Sequence, residues 1–383
     1  MRPSTRAEHE LLLCCARTVA STAQRQRIRE LAESQIDWEY FFLLARRHAI
    51  LPLIYRQLQK HASDLVPTDQ LQRLRKHYQE NGARNQILTS ELLRLIQIFS
   101  HADIEAIPYK GPLLAQYAYG DLTLRRFVDL DVMVRRDDVQ KARELLLADG
   151  YFAAKSMSGA QQEVLLRTQH NMQFTRDNRH YIVELHWEVA SHLFASSVDS
   201  ETLWRSLEST ELCGSTIKTF SAEDLLFSLC IHGSRHLWER LSWVCDVAEL
   251  IQRHRVNWSA LLQRLRKTDT ERMFYLGLLL ADDLLECDLP DEIRAVIKSD
   301  KQLAKVAERI AGRLFDGTVH VPATTSEIFR YNFQVRKSWR ARVRYFVFML
   351  RPTDGDLSTV SLPQGLGFAY YLMRPFRLLS KHS

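Results

Sequence analysis

Two aspartates one residue apart, Asp129 and Asp131, stand inside the run Arg125-Arg126-Phe127-Val128-Asp129-Leu130-Asp131-Val132-Met133-Val134. Apolar residues on both sides read as a buried strand, and on a strand residues two apart share a face. The two carboxylates therefore project side by side. Like charges that close are costly in apolar surroundings unless something neutralises them. A divalent cation does so, and hard oxygen donors select magnesium or manganese. The plainer account is a pair at a strand end facing water. A third acid, Glu184, falls on a second strand-like run, residues 181–188, where His186 and Glu188 share its face. If the two strands are neighbours, three carboxylates converge on one side of a sheet.

The residues upstream suit an anion. Ile104-Glu105-Ala106-Ile107-Pro108-Tyr109-Lys110 reads as a short strand, and Gly111-Pro112-Leu113-Leu114-Ala115 opens a helix. Proline fits a first helical turn, glycine allows close backbone approach, and helix N-termini attract anions. Lys110 either turns inward toward a phosphate or caps the strand end in solvent. Farther on, His232 and His236 lie four apart, the spacing that puts two imidazoles on one helix face, as in zinc sites. The glutamate of a zinc-protease signature is missing between them, and Arg235 opposes a metal. That segment reads better as the wall of a cleft, with Arg235 or His232 near phosphates.

Lys110-Gly111, then Arg125, then Asp129-Leu130-Asp131, then Glu184-Leu185-His186-Trp187 resembles the signature of the polymerase-beta-like nucleotidyltransferases. Within that superfamily the chain is most similar to the bacterial "uncharacterised nucleotidyltransferase" group, which often accompanies polysaccharide or peptide biosynthesis clusters. The similarity extends to Asp37-Trp38-Glu39, to His48 through Leu53, to His232 through Asp246, and to Leu362-Pro363 with Tyr370 through Pro375. The resemblance implies magnesium, or manganese, held by Asp129, Asp131 and Glu184. It implies a nucleoside triphosphate steadied by Lys110, Gly111 and Arg125, with His186 orienting a carboxylate or phosphate. Glu184 would also be the general base. One departure stands out: many members follow the glycine with Gly or Ser, whose N–H or hydroxyl contacts a triphosphate, and Pro112 offers neither.

The 383-residue chain has room for two or three domains and a substantial core. Its six cysteines have no metal spacing and no pattern of a small disulfide framework. No run approaches the roughly 20 apolar residues that span a bilayer, and Glu8 and Glu10 precede the first apolar run, unlike a signal peptide. A cytoplasmic protein is expected. A net charge of +6 favours anionic partners without naming them. Much of the excess lies in 336–344, ahead of the apolar run 345–350. That segment is either a solvated face over a core stripe or a helix making peripheral contact with a membrane surface.

Periodicity divides the chain in three. Residues 1–100 read as an N-terminal helical region, with helices over 5–18 and 37–48, the latter capped by Asp37, and one long helix or two in line over 71–99. Residues 101–190 alternate strand-like and helix-like signals and form the catalytic core. There a helix begins at Asp137-Asp138 and closes at Asp149-Gly150, and the turn Arg176-Asp177-Asn178-Arg179 joins two strands. Residues 191–383 read as a C-terminal helical region, with Ser221 starting a helix. The fold class is α+β, a small mixed-sheet nucleotidyltransferase core flanked by helical segments. The expected activity is transfer of a nucleoside monophosphate to a hydroxyl-bearing small molecule, glycan precursor, peptide or protein. Two alternatives stand beside it: a tRNA- or RNA-directed or toxin-like transferase, and an inactive binding protein that keeps the fold.

Overall fold

A computed structural model describes residues 6–153, 159–191, 194–195, 200–266 and 268–351. The C-terminal motifs at Leu362-Pro363 and Tyr370 through Pro375 lie outside the described residues. The chain opens with five helices: α1 Ala7–Cys15, α2 Thr22–Ala32, α3 Trp38–Arg47, α4 Leu51–His61 and α5 Thr68–His101. Asp37 caps α3, its carboxylate accepting from the Tyr40 N–H at 3.0 Å, which satisfies one donor the helix start leaves over. The long periodic stretch is a single helix of 34 residues. Its buried Leu88, Leu92, Leu95 and Phe99 form one stripe, the spacing of a face that packs on a sheet.

That sheet holds β1 Ala106–Pro108, β2 Leu130–Val134, β3 Phe152–Ala153, β4 Asn171–Arg176 and β5 Tyr181–His186, in the order β1-β2-β5-β4-β3. Between them run α6 Gly111–Tyr119, α7 Val139–Ala148 and α8 Gly159–Thr168. Every residue of β2 is buried, as its near-continuous apolar sequence requires. β2 and β5 are parallel, with Asp131 opposite Glu184; the remaining pairings are antiparallel. The tight β4–β5 turn places Asp177, Asn178 and Arg179 at φ of 52°, 52° and 71°, a left-handed conformation that Asp and Asn accept more readily than most residues.

The segment read as uniformly helical departs from that reading once. After α9 Ser200–Arg205, β6 Glu208–Leu212 and β7 Ser215–Thr219 form a hairpin. Its turn, Cys213-Gly214, has positive φ at both residues, the geometry of the favoured two-residue hairpin. The hairpin leans on β1: the Thr219 hydroxyl donates to the Pro108 carbonyl at 3.1 Å, and Lys218 reaches Glu105 at 2.7 Å.

From there the described chain is helical: α10 Ala222–Arg235, α11 Leu241–Arg253, α12 Trp258–Leu265, α13 Glu271–Leu285, α14 Asp291–Ser299, α15 Lys301–Leu314, α16 Thr325–Gln334 and α17 Trp339–Leu350. Ser221 caps α10. Two cores result. One lies against the sheet, built from α5, α7 and the inward residues of β2 and β5. The larger joins α1–α4 with α10, α11, α13 and α15, so the two ends of the described chain share one interior. All six cysteines are free, and no described helix is long and apolar enough to cross a membrane.

Candidate active site

The parallel register of β2 and β5 sets Asp131 beside Glu184, and alternation carries His186 to the same face. The Lys110 Nζ lies 2.9 Å from Asp131 Oδ1. His186 Nε2 lies 3.1 Å from the same oxygen and 3.4 Å from Glu184 Oε2. Asn171, on β4, donates to Glu184 Oε2 at 2.8 Å. The Tyr109 ring lies 4.9 Å from the Lys110 ammonium and stands edge-on to His186. Asp129 sits one residue before β2 and borders the same cavity, whose volume is about 850 Å³.

The three acids differ electrically. Burial pushes Asp129 up to about 6, and the charges of Asp131 and Glu184 push the same way. Burial acts likewise on Asp131, but Lys110 and His186 outweigh it and hold that carboxyl well below its ordinary range. Burial also works against Glu184, yet its contact with His186 leaves it lowered. For His186, desolvation is overcome by Asp131 and Glu184, and its pKa is raised. Asp131, Glu184 and His186 are the one group of three or more His, Cys, Asp or Glu side chains among the described residues that could hold a metal ion, each offering an atom within 4.8 Å of the others. The Nδ1 of His186 and the hydroxyl of Tyr109 are buried without a hydrogen-bond partner.

The residues expected to hold phosphates are placed less simply. Gly111 adopts φ of 54°, and a Cβ there would stand 3.1 Å from the Asp129 carbonyl oxygen, so glycine is needed to bring the α6 start against the aspartate backbone. Gly111, Pro112 and Leu113 are buried and do not line the cavity. Arg125 does line it, but its Nε and Nη2 donate to both oxygens of Asp246, on α11, at 2.8 and 2.9 Å. The Tyr119 hydroxyl donates to the same carboxylate at 2.6 Å. Arg235 borders the cavity and hydrogen-bonds the buried His170. Glu188 pairs with Arg136 at 3.2 Å.

The H-x-x-x-H segment does not gather metal ligands. His232 and His236 have ring centroids 4.7 Å apart and pack around Trp243; burial lowers both, His236 to about 4. Gly233 between them makes room for Trp238: a Cβ there would fall 2.6 Å from its ring. In the basic C-terminal segment, Arg336 is buried and donates to Asn332 and to the Phe194 carbonyl, while Arg344 pairs with Asp269. Trp339, Val343, Phe346 and Val347 of α17 are exposed.

His170, Asn171 and the arginines at the cavity rim (Arg46, Arg126 and Arg240) were not foreseen. His170 immediately precedes β4 and Asn171 begins it, with no motif around them. The arginines come from separate segments, and only the folded chain brings them to one opening.

A glycine bend between strand and helix, followed by a parallel strand pair that unites acids in a cavity, defines an α+β domain of the nucleotidyltransferase class. The model of the family described as uncharacterised nucleotidyltransferase matches residues 34–286, about two thirds of the chain, and the protein belongs to that family. The matched span runs from before α3 to the end of α13 and includes the acids, Lys110, His186 and Asp246. None of the curated proteins compared with the chain matches it.

Proposed function

We propose that the cavity catalyses metal-dependent transfer of a nucleoside monophosphate from a nucleoside triphosphate to an acceptor hydroxyl, with release of pyrophosphate. The observation that carries this reading is the register of β2 and β5, which gathers Asp131, Glu184 and His186 at the floor of a cavity large enough for a nucleotide. The donor set suits a divalent cation. Carboxylate oxygens favour magnesium or manganese, and the imidazole is more at home with manganese. Asp131 and Glu184 would hold the ion, with Asp129 completing the acid group. When bound, such an ion supplies Lewis acidity at the phosphate oxygens and lowers the pKa of the attacking hydroxyl.

The chain's own groups do the rest. Glu184, kept ionised by His186, accepts the proton of the acceptor hydroxyl. The acceptor oxygen bonds to the α-phosphorus as the bond from that phosphorus to the bridging oxygen breaks, and pyrophosphate leaves with the electron pair. Lys110 anchors Asp131, and the Asn171 amide orients Glu184. His186 shares its Nε2 between the two carboxylates, which fixes their spacing.

The test is pyrophosphate release from each of the four nucleoside triphosphates with magnesium or manganese, together with label transfer from α-labelled nucleotide to candidate acceptors. Activity should require Asp131 and Glu184. If no triphosphate and metal combination, across small-molecule, glycan, peptide and RNA acceptors, gives turnover above that of Asp131→Asn, the reading fails.

A further inference from the structure

An account of the cavity's cations leaves a remainder. Lys110 is engaged by Asp131, Arg125 by Asp246, and Arg235 by His170. Arg47 donates to the backbone carbonyls of Arg313 and Asp316. Arg46, Arg126 and Arg240 also line the cavity, are exposed at its mouth, and pair with no carboxylate among the described residues. They come from three places: the last turn of α3, the loop entering β2, and the residue before α11. Burial and the charges of Arg84, Arg240 and Arg46 all lower the pKa of Arg126, so these guanidiniums lie within one another's field. Holding like charges together without counter-ions costs free energy, and a polyanion relieves that cost.

Resting on the reading above, we propose that Arg46, Arg126 and Arg240 form the β,γ-phosphate site of the nucleoside triphosphate, in place of the glycine turn. Two independent observations converge on this. The turn at Gly111-Pro112 is buried, does not line the cavity, and lacks an N–H at Pro112. The arginine collar shares the cavity with the acids, and Arg126 is only three positions before Asp129, at most about 11 Å along the chain. An α-phosphate at the acids thus leaves the outer phosphates within reach of the collar. Planar guanidiniums suit that task because each offers paired donors to phosphate oxygens.

The experiment uses the full chain and titration calorimetry with four probes: each nucleoside triphosphate, its monophosphate, inorganic tripolyphosphate, and tRNA at low and high salt. Arg126→Ala and Arg240→Ala should each weaken triphosphate and tripolyphosphate binding about 10-fold, as for loss of one charge-assisted hydrogen bond. Monophosphate binding should stay within about twofold, and Arg126→Lys should recover part of the loss. Unchanged thermal unfolding of these exposed variants excludes misfolding as the cause. If the wild type binds a triphosphate and the variants bind it equally, the collar assignment is overturned while the transferase reading stands. If the wild type binds tripolyphosphate but no nucleoside triphosphate, both fall. If the variants lose salt-sensitive tRNA binding yet keep triphosphate affinity, the collar serves RNA and the assignment is overturned.

Discussion

Two charged clusters in this protein use similar side chains to opposite ends. Where α5 meets the β3–β4 end of the sheet, Glu91 and Asp149 face Arg94 and Arg176. Arg94 Nε donates to Glu91 at 2.9 Å and its Nη1 to Asp149 at 2.8 Å; Arg176 reaches Glu91 at 3.0 Å and Asp149 at 2.9 Å. The Tyr151 hydroxyl adds a donor to Glu91 at 2.5 Å. Two acids meet two bases, with the exposed Asp177 a more distant partner of Arg176 at 3.6 Å, and the account closes. In the cavity it does not. Three carboxylates share Lys110 and one imidazole at the floor, while three arginines at the mouth form no ion pair with a carboxylate among the described residues. Balanced charge ties segments together. Separated charge, negative within and positive at the rim, leaves places for a cation and a polyphosphate.

The largest effect should come from breaking the floor. Asp131→Asn or Glu184→Gln should lower nucleotidyl transfer on the order of 10³-fold, as when a preorganised electrostatic group is removed from a transition state. Arg176→Ala, in the closed cluster, should lower stability while leaving turnover per folded molecule unchanged. Label transfer normalised to folded protein checks both. Equal losses from the two clusters would erase the contrast.

Adjacent arginines sharpen the same point. Arg125 is locked to Asp246, whose side chain is only 2% exposed. Arg125→Ala strands that carboxylate and should cost about 3 kcal/mol of unfolding free energy in urea. Arg126→Ala should change stability by less than about 0.5 kcal/mol, because its side chain is exposed and forms no ion pair with an acid among the described residues. If Arg126→Ala proved the more destabilising of the two, Arg126 would belong to the architecture and not to the opening.

What could be read from the sequence follows from how far each determinant reaches along the chain. Alternation puts Glu184 and His186 on one face, and Asp37 announces the start of α3; both are properties of a few consecutive residues. The α+β class follows from the change of period near residue 101. The partner of Arg125 was out of reach, because Asp246 lies 121 residues away and nothing local distinguishes a guanidinium bound for a ligand from one bound for an aspartate. The β6–β7 hairpin escaped because its Thr- and Glu-rich strands carry one buried apolar residue each, Leu212 and Ile217, too few to show the apolar alternation of a core strand. The collar is the extreme case: Arg46, Arg126 and Arg240 become neighbours only when the first and last helical segments close over the sheet.

The subtlest contrast lies within the acid pair itself. Asp129 has its pKa raised from an ordinary 3.8 to about 6, so the folded state binds its proton more tightly than the unfolded chain does. Stability then falls as pH rises from about 4 through about 6, and the full penalty is present above that window. Without metal, Asp129→Asn should therefore raise unfolding free energy by about 3 kcal/mol at pH 7.5, with the gain vanishing below about pH 4. Asp131 has the opposite sign: its folded pKa is depressed, so its contribution is present above the ordinary carboxylate range and lost in acid. Asp131→Asn should destabilise at pH 7.5, since Lys110 and His186 lose their shared acceptor. Urea titrations from pH 4 to pH 8 separate the two. Added manganese should stabilise the wild type and stabilise Asp129→Asn less, because the carboxylate that made the apo floor unstable is one the cation would use. Destabilisation by Asp129→Asn at every pH would mean that its charge is already compensated in the folded chain.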